Sequence, residues 1–491
     1  MSLKQKTIQG LFWTLGQQFS GQLISLIVQI FLARLLVPES FGLIAMLQIF
    51  IALSKSLVDS GMTNSLIRDN KIDQRDYSTV FFINIFVSFF LYIIIYFSAP
   101  LVSRFYEQPQ LTSIIRVYSL IIIIQALNAV QITKLIKEMK FKLQMILELP
   151  SIILGSFVGL YLAYNGYGVW SLVWMYLIRS IIWTLLHWSF SKWTPDFIFD
   201  LKKLKYHFHF GYKLTLSGLL DILFKNSYSV LIGKFFNITQ LGYYDRAVTF
   251  RNITQDSIST ALGKVTYPMF VNIQDNPVRL KLVFKQILMQ VLFIIAPLMI
   301  ILSLIAEPAF RWILTEKWIP AVPYFQILCI AGILHPLHVY NLNILKVKGR
   351  SDLFLKLEIY KKIMMTILII CSIPFGIYGL LYVQILISIF SYLINAMYSG
   401  KLVNYSLYDQ IKDILPIILL AIISGIISWL FIYLSIKHVL LPDPAIIIIT
   451  CIFFIIVYFG LAAFFKLSPY EGFKKLLQNI FPILNISNKK I

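Results

Sequence analysis

Thr14, Gln18, Gln22, Ser25 and Gln29 recur at steps of three and four residues within an otherwise apolar stretch, the spacing that puts side chains on one side of an α-helix. Gln48, Lys55, Asp59 and Thr63 repeat the pattern in the next stretch. About two hundred residues later it returns twice, as Gly218, Asp221, Lys225 and Ser229 and then as Asp245, Thr249, Asn252, Asp256 and Ser259, the last flanked by Arg246, Arg251 and Gln255. Amide and hydroxyl groups in such stripes can exchange hydrogen bonds with a polyhydroxylated solute, and lysine or arginine among them can hold an anion. Arg251 has no acid three or four residues away and is the leading candidate for that contact. Lys55 with Asp59 and Asp221 with Lys225 are each four apart, so mutual neutralisation and contact with a solute or ion both stay open. Arg34, at the end of its stretch, either snorkels to headgroups or faces the same space. The candidate contacts are therefore Arg251, Lys55, Lys225, Arg246, Arg34, Gln18, Gln22 and Asn252, and the candidate ion-coupling acids are Asp256, Asp221, Asp59 and Asp245.

The elements that carry these residues are membrane helices. The chain has 491 residues, 58% hydrophobic and 13% charged, with a mean hydropathy of +0.79, more apolar sequence than a soluble core of this length needs. Fourteen segments have membrane length, near 10–36, 39–62, 77–99, 110–133, 143–164, 168–190, 209–235, 240–269, 283–305, 319–345, 357–375, 377–398, 413–434 and 444–465. A charge at mid-membrane costs about 2.5–3.5 kcal/mol, so the first, second, seventh and eighth helices must turn their polar faces to water rather than lipid. The net charge of +21 does not mark a nucleic-acid binder, because its distribution follows the membrane. With fourteen crossings and a cytoplasmic N-terminus, well over half of the 43 basic residues fall in or at the edge of the cytoplasm and few fall outside. That is the positive-inside pattern, and it places both termini in the cytoplasm. The first apolar stretch exceeds a signal-peptide core and lacks a small-residue cleavage site, so it is expected to remain in the mature protein.

The helices repeat. Ala33-Arg34-Leu35-Leu36 with Phe41-Gly42 lines up with Gly233-Lys234-Phe235-Phe236 and Leu241-Gly242 at an offset of 200. Ala99-Pro100-Leu101 lines up with Glu307-Pro308-Ala309 after the third and ninth spans. Six spans per copy is an even number, so both copies share one orientation and are related by an axis along the membrane normal. The expected fold is an all-α polytopic membrane protein with 14 transmembrane helices: two pseudo-symmetric six-helix lobes around a central cavity, plus two extra C-terminal helices. Its divisions are an N-terminal lobe over 1–190, a cytoplasmic linker over 191–208, a C-terminal lobe over 209–400, and two additional helices with a tail over 401–491. Leu201, Lys202, Leu204 and Lys205 predict a short interfacial helix in the linker. Pro297, Pro320, Pro323 and Pro336, in or beside spans nine and ten, predict kinks or breaks.

Several chemistries have no residues to perform them. There is no Gly-x-x-x-x-Gly-Lys-Ser/Thr run for ATP, and neither an Asp-x-Asp pair nor a long external loop for a glycosyltransferase, polymerase or ligase. His335 and His338 are three apart but lack further ligands, and packing or hydrogen bonding is the expected role. Cys329, Cys371 and Cys451 all fall inside spans, without disulfide or metal spacing. No cofactor, metal or catalytic residue is expected; the chain reads as a transporter rather than an enzyme.

Gly10-Leu11-Phe12-Trp13, then Ala33-Arg34-Leu35-Leu36-Val37-Pro38-Glu39 with Phe41-Gly42, resemble Wzx-type polysaccharide exporters of the multidrug/oligosaccharidyl-lipid/polysaccharide (MOP) superfamily. Asp59-Ser60-Gly61, Gly166-Tyr167-Gly168-Val169-Trp170, Leu241-Gly242-Tyr243-Tyr244, Glu316 to Pro323, Leu342 to Lys346 and Lys348 to Ser351 extend the likeness along nearly the whole chain. The resemblance implies two lobes around a cavity lined by spans one, two, seven and eight, the four that the polar stripes select. It implies a bacterial inner-membrane flippase for lipopolysaccharide or other polysaccharide biosynthesis, O-antigen included. Such a flippase carries undecaprenyl-pyrophosphate-linked oligosaccharide from the inner to the outer leaflet by alternating access. The bilayer, a polysaccharide polymerase and glycosyltransferases are then its expected partners, and nucleic acid is not. Lys55 and Arg251 occupy places comparable to the basic residues that related lipid II flippases use for the pyrophosphate. The alternatives are a drug or cation antiporter of the related MATE type, which should have a more acidic and aromatic pocket, and a membrane-bound sugar polymerase or ligase.

Overall fold

The computed structural model describes residues 3–69, 71–436 and 441–480; within these, the side chains of 3–12, 15, 214, 254, 256–265, 267–268, 351, 435–436 and 475–480 fall outside the description. Among the described residues every regular element is helical. In chain order they are α1 (Leu3–Leu35), α2 (Pro38–Asp59), α3 (Met62–Arg68), α4 (Gln74–Tyr106), α5 (Leu111–Tyr118), α6 (Leu120–Ala126), α7 (Ala129–Lys137), α8 (Phe141–Tyr164), α9 (Val169–Phe190) and α10 (Leu201–Phe235). There follow α11 (Ile238–Asn272), α12 (Pro277–Leu304), α13 (Ala306–Ala309), α14 (Val322–Gly332), α15 (His335–Val347), α16 (Ser351–Ser372), α17 (Gly376–Val403), α18 (Leu407–Phe431), α19 (Asp443–Phe464) and α20 (Ser468–Ile480).

Eleven stretches of the described residues are long and apolar enough to cross a membrane. Two physical reasons separate that number from fourteen. Residues 352–403 count once, although a 3-10 turn at Ile373–Phe375 with Pro374 divides α16 from α17. Helices α10 and α11 do not count at all, because polar residues lower their hydropathy, although each has 35 residues and, at about 1.5 Å per residue, exceeds the hydrocarbon thickness. The outer faces of the apolar helices are lipid-like: Phe86, Phe89, Phe90 and Phe97 on α4, and Ile448, Ile452 and Ile456 on α19, are exposed.

Three of the four prolines stand at breaks in helix, and the fourth does not. Pro297 lies within a continuous α12. Pro320, Pro323 and Pro336 break span ten into a 3-10 turn (Glu316–Ala321), α14 and α15, the last two prolines standing in the first turns of their helices, where the missing N–H costs nothing.

By internal packing the chain divides into two compact units, 1–245 and 246–491. In the first, Met62, Leu66, Tyr77, Val80, Phe81, Val130 and Trp193 form a buried cluster, with Trp193 edge-on to Phe81 at 5.8 Å. Trp193 belongs to the connection after α9, and its indole N–H donates to Gln74 Oε1 at 2.7 Å. Beside it, the Asp196 and Asp200 backbone N–H groups donate to Ser78 Oγ at 2.9 Å and Thr79 Oγ1 at 3.1 Å. This connection is therefore stapled to the start of α4. Asp200 then caps α10, accepting from the Lys202 N–H at 2.8 Å. Helix formation runs from there without interruption to Phe235, so the separate interfacial helix expected over the linker does not form. Its residues are the first turns of α10, because Asp200 supplies a start signal and no stop follows before Gly211, which remains helical. In the second unit α12 packs against α14 and α18, and α17 against α14, α15 and α16.

Candidate functional site

Two helical hairpins carry the polar stripes, and the bounds of their turns differ by 200. Helix α1 ends at Leu35 and α2 starts at Pro38; α10 ends at Phe235 and α11 starts at Ile238. Helix α2 packs along α10, and glycines permit the approach. A side chain on Gly61, whose φ is +66°, would meet the Gly211 carbonyl oxygen at 2.6 Å. Both conformation and space thus demand glycine there.

On α1, Gln18 and Gln22 are half-buried and Arg34 is exposed. On α2, Lys55 is exposed and Asp59 is the last helical residue. Asp59 accepts a 3.2 Å hydrogen bond from the Thr63 backbone N–H, so its carboxylate joins the end of α2 to the start of α3. On α10, Asp221 and Lys225 are both exposed, one turn apart. On α11, Asp245 is half-buried and Arg246 is buried at 5% exposure. Arg251 and Asn252 are half-buried, and the guanidinium donates to the Asn252 amide oxygen through Nε at 3.1 Å and Nη2 at 2.7 Å. Two donors of the Arg251 fork are thereby held by a neutral acceptor, which leaves the positive charge unneutralised by that contact. The Asp256 side chain lies outside the described residues. Gln255, on the flank of the α11 stripe, is buried at 2% exposure with its Oε1 close to Gly332.

Sequence reasoning missed two polar constellations. Glu148 on α8, half-buried, accepts from Arg179 of α9 at 3.3 Å and from the Gln17 amide of α1. This joins three helices and gives the otherwise lone Arg179 a partner. The second gathers on Asp76 at the start of α4, 2% exposed. Its carboxylate receives the Lys203 ammonium at 2.9 Å and His207 Nε2 at 2.9 Å, both from α10. With Nε2 as donor, His207 Nδ1 accepts from the Ser65 hydroxyl of α3 at 2.8 Å. Asp76 holds the Lys203 ammonium above the usual lysine range by this hydrogen bond, the largest of the influences upon it. Asp73 and Asp76 also form a reciprocal capping box at the start of α4, with bonds of 3.1 and 2.9 Å. The Asp-x-x-Asp spacing after a polar loop was the available signal for that cap, but nothing in the sequence pointed across to α10.

No group of three or more potential metal ligands occurs among the described residues. His338 instead lies 3.3 Å from the Ser388 hydroxyl, and the three cysteines are free.

The chain is 24% identical over 405 residues to the lipopolysaccharide biosynthesis protein WzxC of Escherichia coli strain K12, covering 80% of this chain and 82% of that protein. It is 26% identical over 381 residues to the teichuronic acid biosynthesis protein TuaB of Bacillus subtilis strain 168, covering 76% and 78%. Among solved structures it is similar to the lipid II flippase MurJ in an inward closed conformation, with a TM-score of 0.74 at 16% identity over 93% of this chain and 98% of that one. It is also similar to an inward-facing MATE family multidrug resistance transporter of the MOP superfamily, with a TM-score of 0.59 at 18% identity over 79% and 96%. The two solved structures show the fold, and with eleven stretches of the described residues long and apolar enough to cross a membrane the chain is an integral, multi-pass membrane protein. The model of the polysaccharide biosynthesis protein family matches residues 31–323, from the last turns of α1 into α14 and so more than half of the sequence, and the chain belongs to that family.

Proposed function

We propose that this protein flips an oligosaccharide linked to a polyprenyl pyrophosphate from the inner to the outer leaflet of a bacterial cytoplasmic membrane, by alternating access of two six-helix lobes (1–190 and 209–400). Fourteen spans with both termini in the cytoplasm complete the reading, and the helices beyond residue 400 are a lipid-facing addition. One observation carries it. Helices α10 and α11 have membrane length yet are too polar for lipid, in a chain whose family serves polysaccharide biosynthesis. A sugar with a pyrophosphate headgroup cannot cross hydrocarbon unaided, and the polar faces of α1, α2, α10 and α11 offer it amides, hydroxyls and cations. Relatives named for lipopolysaccharide, teichuronic acid and succinoglycan transport or biosynthesis support this class of cargo. Arg251, Lys55, Lys225, Arg246 and Arg34 are the proposed headgroup contacts, with Gln18, Gln22 and Asn252 facing the sugar. Polymerase and glycosyltransferases are the proposed partners.

The test is deletion in the native host, followed by extraction of lipid-linked saccharides. Accumulated lipid-linked repeat units with loss of surface polymer, both reversed by a plasmid copy, are the expected result. Unchanged polymer together with lowered resistance to cationic drugs would replace this reading with a MATE-type antiporter.

A further inference from the structure

The end of α10 that meets α3 carries a second polar space, distinct from the stripe residues. Arg68, Lys71, Lys205, His209 and Lys213 line a cavity of about 1060 Å³ with Asp69 as the acid on its wall. Both walls belong to one compact unit. Arg68 is held in place, its guanidinium 4.5 Å above the Phe210 ring. Asp69 is already engaged, since the Lys71 backbone N–H, at 2.9 Å, and then the Tyr206 hydroxyl bind its carboxyl and hold it below the usual carboxylate range. The neighbouring acid, Asp76, is spent on Lys203 and His207. Four cations therefore face the cavity against one carboxylate, and the excess charge is open to an anion.

The surroundings say where that anion comes from. Phe197, Phe199, Leu201, Phe208 and Tyr212 stand exposed on the same end of the molecule, and Phe197 is 98% exposed. Aromatic and apolar side chains beside a basic cluster at a helix end describe a membrane interface, and arginine with lysine suits a phosphate oxygen. We propose that this cavity is a binding site for the phosphate of a lipid headgroup. Two lipids present that chemistry: an anionic phospholipid of the surrounding leaflet and the polyprenyl pyrophosphate of the cargo. Only the second rests on the flippase reading.

Native mass spectrometry of the full chain released from detergent micelles tests the site without requiring transport. The probes are phosphatidylglycerol, undecaprenyl pyrophosphate and, as the neutral control, phosphatidylcholine. The wild type is expected to retain one or both of the anionic lipids and not phosphatidylcholine. Replacing Arg68 and Lys205 together by Gln removes two charge-assisted contacts and should lower retention about tenfold or more. The control pair Lys401→Gln and Lys412→Gln, exposed in the other compact unit, should leave retention unchanged. Loss confined to undecaprenyl pyrophosphate assigns the cavity to the cargo headgroup; loss that includes phosphatidylglycerol assigns it to leaflet phospholipid. Unchanged retention in the Arg68/Lys205 variant, or equal loss in both pairs, overturns the proposal. Should the double variant fail to fold, Lys71→Gln and Lys213→Gln singly serve instead, with the same criterion. A wild type that retains these lipids but flips nothing defeats the flippase reading and leaves the site standing.

Discussion

The Thr239 hydroxyl donates to the Glu39 carboxylate at 2.6 Å, and each residue is the second of its helix, 200 positions apart. The glycines three residues on are reciprocal as well. A side chain on Gly42 would collide with the Ile238 carbonyl, and one on Gly242 with that of Pro38. The start of α2 and the start of α11 thus pack backbone to backbone, each supplying the glycine that the other requires. The offset seen in Ala33–Gly42 and Gly233–Gly242 is a physical contact as well as a likeness of letters.

Gly42→Ala and Gly242→Ala should each destabilise by about 1–3 kcal/mol through overpacking, read as a fall in melting temperature of the purified protein. Gly460, in a helix with nothing within 4 Å of an added side chain, is the control, and Gly460→Ala should be neutral or slightly stabilising. Equal behaviour of all three would show that the hairpin contact does not need its glycines.

Asp76→Asn should destabilise by roughly 2 kcal/mol, less than a fully buried pair would lose because solvent reaches Lys203. A double-mutant cycle with His207→Gln should show coupling, since His207 Nε2 bonds the Asp76 carboxylate directly at 2.9 Å. Additive melting shifts would mean that the cluster is incidental.

These two contacts mark what could be read in advance. The hairpins were legible because their stripes have helical period and their ends share a motif with Pro38, Gly42 and Gly242. The breaks in span ten were legible because proline acts locally. Asp76 with His207 was not, since 131 residues separate them and no periodicity links a capping acid to a distant histidine. Gln255 shows a different limit. Spacing sets it on the flank of the polar stripe, its angular position turns it toward Gly332, and a helical wheel does not reveal which neighbour fills that adjacent sector.

Arg251→Ala is expected to abolish export with protein still in the membrane, and Arg251→Lys to restore part of it, because charge persists without the planar fork. Asn252→Ala should be milder, as it removes a neutral acceptor that holds the guanidinium at 2.7 Å and not the charge. Surface polymer and membrane abundance, measured together, check this; full export by Arg251→Ala eliminates that residue as the headgroup contact.

Topology can be tested by cysteine labelling in intact cells. Positions 107 and 316 should react from outside, whereas 137, 202 and 348 should not. Lys202 is preferable to its neighbour because Lys203 is committed to Asp76. The exposed Cys371 should first be replaced by Ser. Labelling at 202 from outside would reverse the proposed orientation.

The last expectation concerns the source of free energy. The proposed rocking cycle of two like-oriented lobes, in a sequence without a P-loop, is expected to draw on a gradient, the membrane potential, or removal of the product. One charge crossing 100 mV contributes about 2.3 kcal/mol, enough to bias a cycle that carries an anionic headgroup outward or a cation inward. Of the candidate acids, Asp59 already receives the Thr63 N–H, which suits a structural role. Asp221 stands exposed on the polar stripe of α10, and with Asp256 it remains the preferred coupling site. In proteoliposomes holding a short-chain lipid-pyrophosphate saccharide, flipping should respond to an imposed proton gradient, sodium gradient or potential and not to ATP. Asp221→Asn should reduce the response while leaving downhill equilibration of the lipid intact. Indifference of the wild type to all three gradients would leave a passive scrambler, drawn forward only by consumption of the saccharide outside.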